Sequence, residues 1–370
     1  MAHPDHLAQS DTQSNRGAKY APGESRGGMR ERLRSIPPSQ AAAVLKGQAN
    51  TAELPADPRL LAASGYAAAT ERLKVRRATP DTLEGLLLIA EMDAARLPAV
   101  VGDLDARHTL DPWLASVSDA DLAQQALPLL RVLEHARKQG REPLRERAIR
   151  ALELRGEDPD ERLGTYDRTR DVRTHYSEEL AEQKPDGTWT TNTYSADKAY
   201  SLGITRDEVV VSVRIRLHPD VAAGDPEALK ARWRDGITAV WNGKYKVTNG
   251  RKKLPLRFRP LFIPAPEPRA SHQEVRIIPG PSRSNETRWD TEDQGRTTAA
   301  HEFGHMVGAR DEYSMPMKDE KDQVVASYDE TDSIMSGDYG RVQPRHLEEI
   351  RRDLNRMRSP KEPEFRVEPL

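Results

Sequence analysis

The carboxyl-terminal half of the chain combines β-branched runs with apolar residues at helical spacing. Val209 to Leu217 is rich in valine and isoleucine and alternates apolar with polar residues, which predicts a half-buried strand. Asp225-Pro226-Glu227 offers an N-cap, a proline at the first helical position and an acid in the first turn, so it predicts a helix start. That helix has one apolar face, formed by Leu229, Trp233, Ile237, Val240 and Trp241. Further strands are predicted at Leu254 to Ile263 and Glu274 to Ile278, and a last helix at Gln343 to Met357.

The amino-terminal half has a different pattern. Residues 1–38 are polar and rich in Gly, Ser, Gln and Arg, so we expect them to be disordered. Residues 39–155 are dominated by the good helix formers Leu, Ala, Glu and Arg, and a helical domain is predicted there. Residues 156–205 are predicted to form a linker and a first strand. We expect an α+β domain over residues 206–358 and a C-terminal tail over residues 359–370.

The candidate chemistry lies in the run from His301 to Asp311, which reads H-E-x-x-H-x-x-G-x-x-D. On a helix, His301 and His305 lie on one face one turn apart, so both imidazoles can bind one metal ion. Glu302 stands next to the first histidine, close enough to act on a metal-bound water. Gly308 tolerates the left-handed backbone that ends helices, and Asp311 can then return as a third ligand. This run therefore offers what a catalytic zinc needs, three protein ligands and one open position.

This run resembles the metzincin metallopeptidases when it is taken together with the segment Ser333-Ile334-Met335-Ser336-Gly337-Asp338-Tyr339. The metzincin pattern is H-E-x-x-H-x-x-G-x-x-H/D followed by a methionine-containing turn. The resemblance covers about residues 205–357 and implies a metzincin-like fold, with a twisted mixed sheet, an active-site helix and a C-terminal helix. It also implies roles for the matching residues: His301, His305 and Asp311 are the zinc ligands, Glu302 is the general base, Met335 lies beneath the metal, and Tyr339 binds metal or stabilises the transition state.

The third ligand departs from the commonest metzincin pattern. Most members have histidine where this chain has Asp311, although aspartate stands there in the snapalysin-like branch. A carboxylate oxygen is an acceptable zinc ligand, and it is harder than imidazole, so other divalent ions also suit the site. Glu312 follows directly, and either carboxylate can bind. The spacing favours Asp311.

The resemblance also implies a substrate cleft. Ser282 to Asp290 corresponds to the edge strand over that cleft, to which a substrate backbone adds by strand pairing. Asn285 and Trp289 are therefore candidates for substrate contact, with a plain surface loop as the alternative. Tyr313 to Asp332 is polar and is predicted to form a loop. Its acidic residues are able to bind calcium, but a charged run is usually a solvated surface, so no calcium site is predicted.

The composition narrows the possible partners. The net charge is -2 over 370 residues, so there is no global attraction to anionic membranes and no nucleic-acid partner is expected. No run of about eighteen apolar residues is present, so no membrane span is expected, and the start lacks the apolar core of a signal peptide. The chain has no cysteine, which excludes disulfides and a prodomain thiolate that caps the zinc. We expect a protein that is cytoplasmic in the producing cell or exported by a specialised secretion system.

The function predicted from these features is that of a zinc-dependent endopeptidase. It hydrolyses protein or peptide substrates with one Zn²⁺ per chain, a metal-activated water and Glu302 as general base. The disordered start, helical module and C-terminal peptidase resemble bacterial toxin or effector proteases, a pattern that ordinary cytosolic enzymes share, and the N-terminal half is then a candidate to bind a secretion apparatus or an inhibitor. The alternative is a catalytically inactive metzincin-like binding protein with a structural zinc. Glu302 argues against it, because a structural site needs no base and is usually closed by four protein ligands.

Overall fold

The computed structural model divides the chain into two compact units, with the division between Ala151 and Leu152. It describes residues 36–37, 82–90, 95, 97–106, 108–136, 140–219, 225–263, 270–281, 284–292, 297–336 and 340–370. The disorder predicted for residues 1–38 therefore falls outside the described residues, apart from Ile36 and Pro37. Helices and strands are both abundant, so the predicted α+β class is confirmed.

The described residues of the first unit are mainly helical. The helices are α1 Thr82–Ala90, α2 Leu97–Ala106, α3 Leu110–Ala115, α4 Asp119–His135 and α5 Glu142–Leu154, the last of which runs through the division. Ser118 begins α4 with a capping box, in which its side chain accepts from the Asp121 backbone and the Asp121 carboxylate accepts in return. The apolar positions that the sequence places on one face of α4 are all buried: Leu122, Ala126, Leu129, Leu130 and Leu133.

The second unit is built on a mixed sheet. Its strands are β1 Arg168–Gln183, β2 Trp189–Ile204, β3 Val209–Pro219, β4 Tyr245–Thr248, β5 Lys253–Ile263, β6 Gln273–Ile278, β7 Arg288–Asp290, β8 Met315–Lys318, β9 Val324–Tyr328 and β10 Arg366–Pro369. The main sheet follows the order β1-β2-β3-β5-β4-β10, with β6 beside β3 and β7 beside β6. The β3–β5, β3–β6 and β6–β7 pairs are parallel and the other pairs are antiparallel. β8 and β9 form a separate antiparallel hairpin.

Helices cover this sheet and form the core with it. They are α6 Pro159–Leu163, α7 Pro226–Trp241, α8 Thr298–Met306 and α9 Glu348–Met357, the last preceded by a 3₁₀ turn at Pro344–Leu347. Asp225 caps α7 as predicted, because its side chain accepts from the Glu227 backbone. Trp241 connects α7 to α8, since its indole nitrogen donates to the Ala300 carbonyl at 2.9 Å and its ring packs 6.1 Å from that of Phe303. The strands predicted at β3, β5 and β6 are all present.

Three segments contain more strands than the sequence analysis predicted. Residues 156–205, predicted as a linker with one strand, contain both long strands of the β1–β2 hairpin, and β2 joins the main sheet through β3. The predicted tail, residues 359–370, contains β10, which pairs with β4. The predicted loop from Tyr313 to Asp332 contains the β8–β9 hairpin.

No helix in the described ranges combines the length and the apolar composition that are needed to cross a bilayer.

A buried arginine joins the segment around α6 to the sheet. Arg259 on β5 is about 1% exposed, and its guanidinium contacts Asp158 at 3.2 Å, Asp160 at 2.5 Å and Glu208 at 2.6 Å. Asp158 also accepts a hydrogen bond from the Tyr166 hydroxyl at 2.9 Å. Charge pairing with one guanidinium therefore joins this segment to β5, while Glu208 is also paired with Arg257 at 2.9 Å.

Arg259→Leu is expected to destabilise the second unit by about 3–5 kcal/mol, because it removes the buried guanidinium that faces Asp158, Asp160 and Glu208. Four of the five tryptophans lie in this unit, at positions 189, 233, 241 and 289, so tryptophan fluorescence during urea unfolding measures the loss. Arg206→Leu is the control, since the Arg206 side chain is 93% exposed and its loss is expected to change stability by less than about 0.5 kcal/mol. Equal midpoints for the two variants would contradict the assigned role of Arg259.

Candidate metal centre

The short helix α8 positions the histidine pair. Its first turn is fixed by the His301 backbone, which donates to the Thr297 carbonyl at 2.8 Å, while the Thr297 side chain makes no capping hydrogen bond. His301 and His305 lie one turn apart, with ring centroids 5.0 Å apart and their Nε2 atoms 3.3 Å apart. Both imidazoles therefore present one nitrogen to the same point, as the motif predicts.

The turn after α8 returns the chain to the two histidines. Gly308 has a φ of 95°, in the left-handed region that favours glycine, and an added Cβ there would lie 3.0 Å from the Lys198 side chain. Asp311 then places its Oδ1 3.2 Å from the Nε2 of His301 and 3.2 Å from that of His305. This oxygen is buried and makes no well-directed hydrogen bond within the described part of the chain. Three donor atoms thus converge from one helix and one turn.

The spacing of these three atoms fits a zinc ion. Nitrogen and oxygen ligands bind zinc at about 2.0–2.1 Å with tetrahedral angles, which separates neighbouring donor atoms by about 3.3 Å. The observed separations are 3.3, 3.2 and 3.2 Å. Two imidazole nitrogens and one carboxylate oxygen are also a donor set that catalytic zinc sites use. His301, Asp311 and His305 can therefore hold a divalent cation without rearrangement.

The other ring nitrogen of each histidine faces a backbone carbonyl. His301 Nδ1 lies 2.8 Å from the Ile334 oxygen, and His305 Nδ1 lies 3.1 Å from the Ala309 oxygen. A carbonyl only accepts, so in the neutral form of each ring, the form that binds a metal, Nδ1 carries the proton and Nε2 has the lone pair. The sequence did not identify these supporting groups, because a backbone carbonyl leaves no mark on the sequence.

Met335 lies directly beneath α8. It is fully buried, and an added Cβ at Gly304 would overlap its sulfur and lie 3.1 Å from its Cε, so the helix approaches this side chain closely. Gly304 lies between the two histidines in sequence, which places the methionine under the metal-binding turn of the helix. The Met335 carbonyl accepts from the Glu312 backbone at 2.8 Å. Met335 therefore lies beneath the turn of α8 that carries the two histidines.

Asp311, and not Glu312, reaches the histidine pair. Glu312 forms a salt bridge with Arg345, whose Nη2 lies 2.8 Å from Glu312 Oε2, and it contacts His346 Nε2 at 3.1 Å. Burial alone would raise the pKa of Glu312, but His346 and Arg345 hold it well below its usual value. Glu312 is therefore held by Arg345 and His346, away from the histidine pair. The sequence left open which of the two carboxylates faces the histidines, and in the structure it is Asp311.

Glu302 and the three donors line one cleft of about 950 Å³. Its carboxylate lies within 4.8 Å of the histidine nitrogens, and the side chain is largely buried. Burial raises the pKa of Glu302 to about 7 against the opposing effect of the nearby imidazoles. Burial lowers the pKa of His305, but the close approach and charge of Asp311 outweigh it and raise the pKa to about 9. The pocket is therefore electrostatically favourable for positive charge.

The remaining predicted site residues have different positions. Asn285 lines the cleft, and its backbone pairs with that of Arg288. Trp289 does not line the cleft: it is 1% exposed and packs edge-on against Trp233, 5.1 Å away in the core. Neighbouring residues of a strand point to opposite faces, so only alternate residues of β7 can face the cleft. Tyr339 lies outside the described residues.

Two residues that the sequence analysis did not consider contact this centre from β1. The Tyr176 hydroxyl lies 3.3 Å from His305 Nδ1, and Glu178 Oε2 accepts from the Asp311 backbone at 2.9 Å. They are two positions apart and so lie on one face of the strand. Polar residues dominate β1, so no alternation of apolar and polar residues marks the strand. The sequence offered one indication of this contact, an aromatic residue and an acid two positions apart.

Searches against protein-family models, curated protein sequences and solved structures find no match for this chain.

Asp311→Ala is expected to weaken zinc binding by at least about 100-fold, because loss of a ligand exceeds the 10–100-fold effect of losing a supporting partner. Glu312→Gln is the matched control: it keeps oxygen and nitrogen groups for its partners and is expected to bind about one zinc per chain. Competition with a chromogenic chelator measures both affinities. Weaker binding by Glu312→Gln than by Asp311→Ala would reverse the ligand assignment.

Proposed function

We propose that this protein is a zinc-dependent endopeptidase of the metzincin type. The observation that supports the proposal is the near-equilateral arrangement of the two imidazole nitrogens and the Asp311 oxygen, with the Glu302 carboxylate beside it in an open cleft. His301, His305 and Asp311 would hold the metal. When bound, zinc supplies a Lewis acid that polarises a carbonyl and lowers the pKa of water.

The chain itself supplies the proton transfer and the orientation. Glu302 is the candidate general base: it accepts a proton from the water that attacks the peptide carbonyl and then passes that proton to the leaving amine. The carbonyls of Ile334 and Ala309 keep the two imidazoles in the tautomer that leaves Nε2 unprotonated. Gly308 and Met335 fix the turn and the helix around them. The roles of Glu302 and Met335 are those that the family resemblance implies.

The cleft suits an extended peptide. Its lining residues come from strands β1 and β2, from residues 284–290, from α8 and from the segment after it. Its volume of about 950 Å³ is at the upper end of the range for ligand sites. Strand edges offer backbone hydrogen bonds to a chain that lies alongside them, which binds peptides with little dependence on sequence. A polypeptide substrate is therefore favoured over a compact small molecule.

Glu302→Gln is expected to retain about one zinc per chain and to lower kcat/KM on a peptide library by about 10²–10⁴-fold, the usual contribution of a general base. Glutamine keeps the shape of the side chain but cannot accept the proton. Zinc content by mass spectrometry and cleavage by chromatography are measured on the same preparation.

The outcomes of this experiment separate the rival functions. Chelator-sensitive cleavage by the wild type that is lost in Glu302→Gln supports the peptidase. Zinc without cleavage in the wild type would favour the binding protein with a structural metal. Wild-type cleavage that survives unchanged in Glu302→Gln would show that another group is the base.

The charge of the cleft indicates its preferred substrates. Apart from Glu302 and the metal ligands, four lining residues are acidic, namely Glu178, Glu182, Glu286 and Asp290. Among the described residues that line the cleft, Arg288 is the one arginine or lysine. Asp290 accepts from Ser284, Glu178 accepts from the Asp311 backbone and Glu182 accepts from the Asn192 side chain, which leaves Glu286 as the acid best placed to meet a ligand. A cleft of one charge sign attracts and orients ligands of the opposite sign.

Peptides with lysine or arginine next to the scissile bond are expected to be cleaved faster than matched peptides with glutamate. Glu286→Gln is expected to reduce this preference about 1.4- to 5-fold, which corresponds to the 0.2–1 kcal/mol range of a partly exposed charge pair. Glu320→Gln, an exposed acid outside the cleft, is the control. Competition between the two peptides in one reaction gives the ratio of kcat/KM directly, and an unchanged ratio in Glu286→Gln would rule out this residue as its source.

A further inference from the structure

Apolar packing does not explain why Tyr176 and Glu178, in the middle of β1, are buried. The strand is mostly exposed, yet Glu178 is only 8% exposed and Tyr176 is half-buried. Burying a carboxylate is costly unless it is hydrogen-bonded, so these side chains need hydrogen-bond partners in the region that buries them. They point to the metal centre, which lies more than a hundred residues later in the chain.

Tyr176 is bonded to both sides of the Gly308 turn. Its hydroxyl lies 3.3 Å from His305 Nδ1, 3.3 Å from the His305 carbonyl and 3.2 Å from the Ala309 carbonyl. A hydroxyl donates one proton and accepts through its lone pairs, so it can accept from Nδ1 while it donates to one of the carbonyls. It therefore restrains the orientation of the His305 ring and the backbone before and after Gly308 together.

Glu178 holds the segment that carries the third donor. Asp311 follows the turn in a stretch with neither helical nor strand hydrogen bonds of its own. Its backbone nitrogen donates to Glu178 Oε2 at 2.9 Å, and the next residue, Glu312, donates to the Met335 carbonyl at 2.8 Å. These two bonds fix the backbone on either side of the Asp311 carbonyl group, and one of them comes from β1.

We propose that Tyr176 and Glu178 are positioning residues of the metal centre, Tyr176 for the His305 ring and Glu178 for the Asp311 backbone. This inference rests on the metal site of the proposed function. It makes β1, which lies outside the stretch that resembles metzincins, a part of that site. The strand supplies no ligand and no reacting group. It supplies two hydrogen bonds that set where two of the three ligands stand.

The test compares zinc affinity in two pairs of variants of the full chain. Tyr176→Phe and Glu178→Leu remove the proposed bonds. Tyr328→Phe and Glu179→Leu are matched controls, because Tyr328 is 48% exposed on β9 and Glu179 is an exposed neighbour on the opposite face of β1. Tyr176→Phe and Glu178→Leu are expected to bind zinc about 10- to 100-fold more weakly, and the controls to bind it as the wild type does.

Two further measurements distinguish positioning from a general loss of structure. The visible absorption of bound Co²⁺ depends on ligand geometry and is expected to change in Tyr176→Phe but not in Tyr328→Phe. Glu178→Gln keeps an oxygen that can accept from the Asp311 backbone, so it is expected to recover most of the affinity that Glu178→Leu loses. Circular dichroism and the Tm of the metal-free variants show whether each one is folded.

The results separate this inference from the proposed function. Wild-type zinc binding with equal affinity in Tyr176→Phe and Glu178→Leu would overturn the positioning roles and leave the zinc site intact. Equal losses in the variants and their controls, or no recovery in Glu178→Gln, would also overturn them. A wild type that binds neither Zn²⁺ nor Co²⁺ would overturn the metal site itself, and with it both proposals.

Discussion

The contact of the Asp311 carboxylate with two imidazoles is the interaction on which the rest of the candidate site depends. Burying a carboxylate oxygen that makes no well-directed hydrogen bond is unfavourable, and so is bringing two imidazoles within 3.3 Å of each other. A shared cation removes both costs, because it attracts all three donors at once. The structure around the site serves to keep these three groups together.

That support comes from four separate parts of the fold. The helix α8 fixes the spacing of His301 and His305, and the turn at Gly308 fixes the return of the chain. The segment around Met335 orients His301 through the Ile334 carbonyl and fills the space under the helix. The strand β1 bonds the His305 ring and the Asp311 backbone. Contacts from several elements therefore hold Asp311 beside the histidines, although it lies on an irregular segment of backbone.

The sequence was most informative where pattern and chemistry are local. The strands β3, β5 and β6 follow from their β-branched and alternating residues, and α7 from its cap at Asp225. The histidine pair follows from helical spacing alone. Adjacent residues were harder to separate: Asp311 and Glu312 differ in role only because Arg345 and His346 take one of them. Trp289 was assigned to the wrong face, since a strand of three residues is too short to show its alternation.

Long-range pairing explains the other omissions. The strand β1 has few apolar residues. Its middle is buried where Tyr176 and Glu178 make hydrogen bonds to His305 and Asp311, far along the chain. The strand β10 is four residues long and pairs with β4, which would otherwise be the edge strand beside β5. In both cases the information lies in a distant partner, and a window of neighbouring residues does not contain it.

The separation between β1 and its partners bears on when the centre forms during synthesis. Tyr176 and His305 are 129 residues apart, and Lys198, which packs against Gly308, is paired with Asp353, 155 residues later. A ribosome releases the amino-terminal side first, so the β1–β2 hairpin has no partner for these contacts until synthesis has passed Asp353. Contacts between residues so far apart in sequence form late in folding. The nascent polypeptide consequently lacks the assembled site until the segment around Asp353 has emerged.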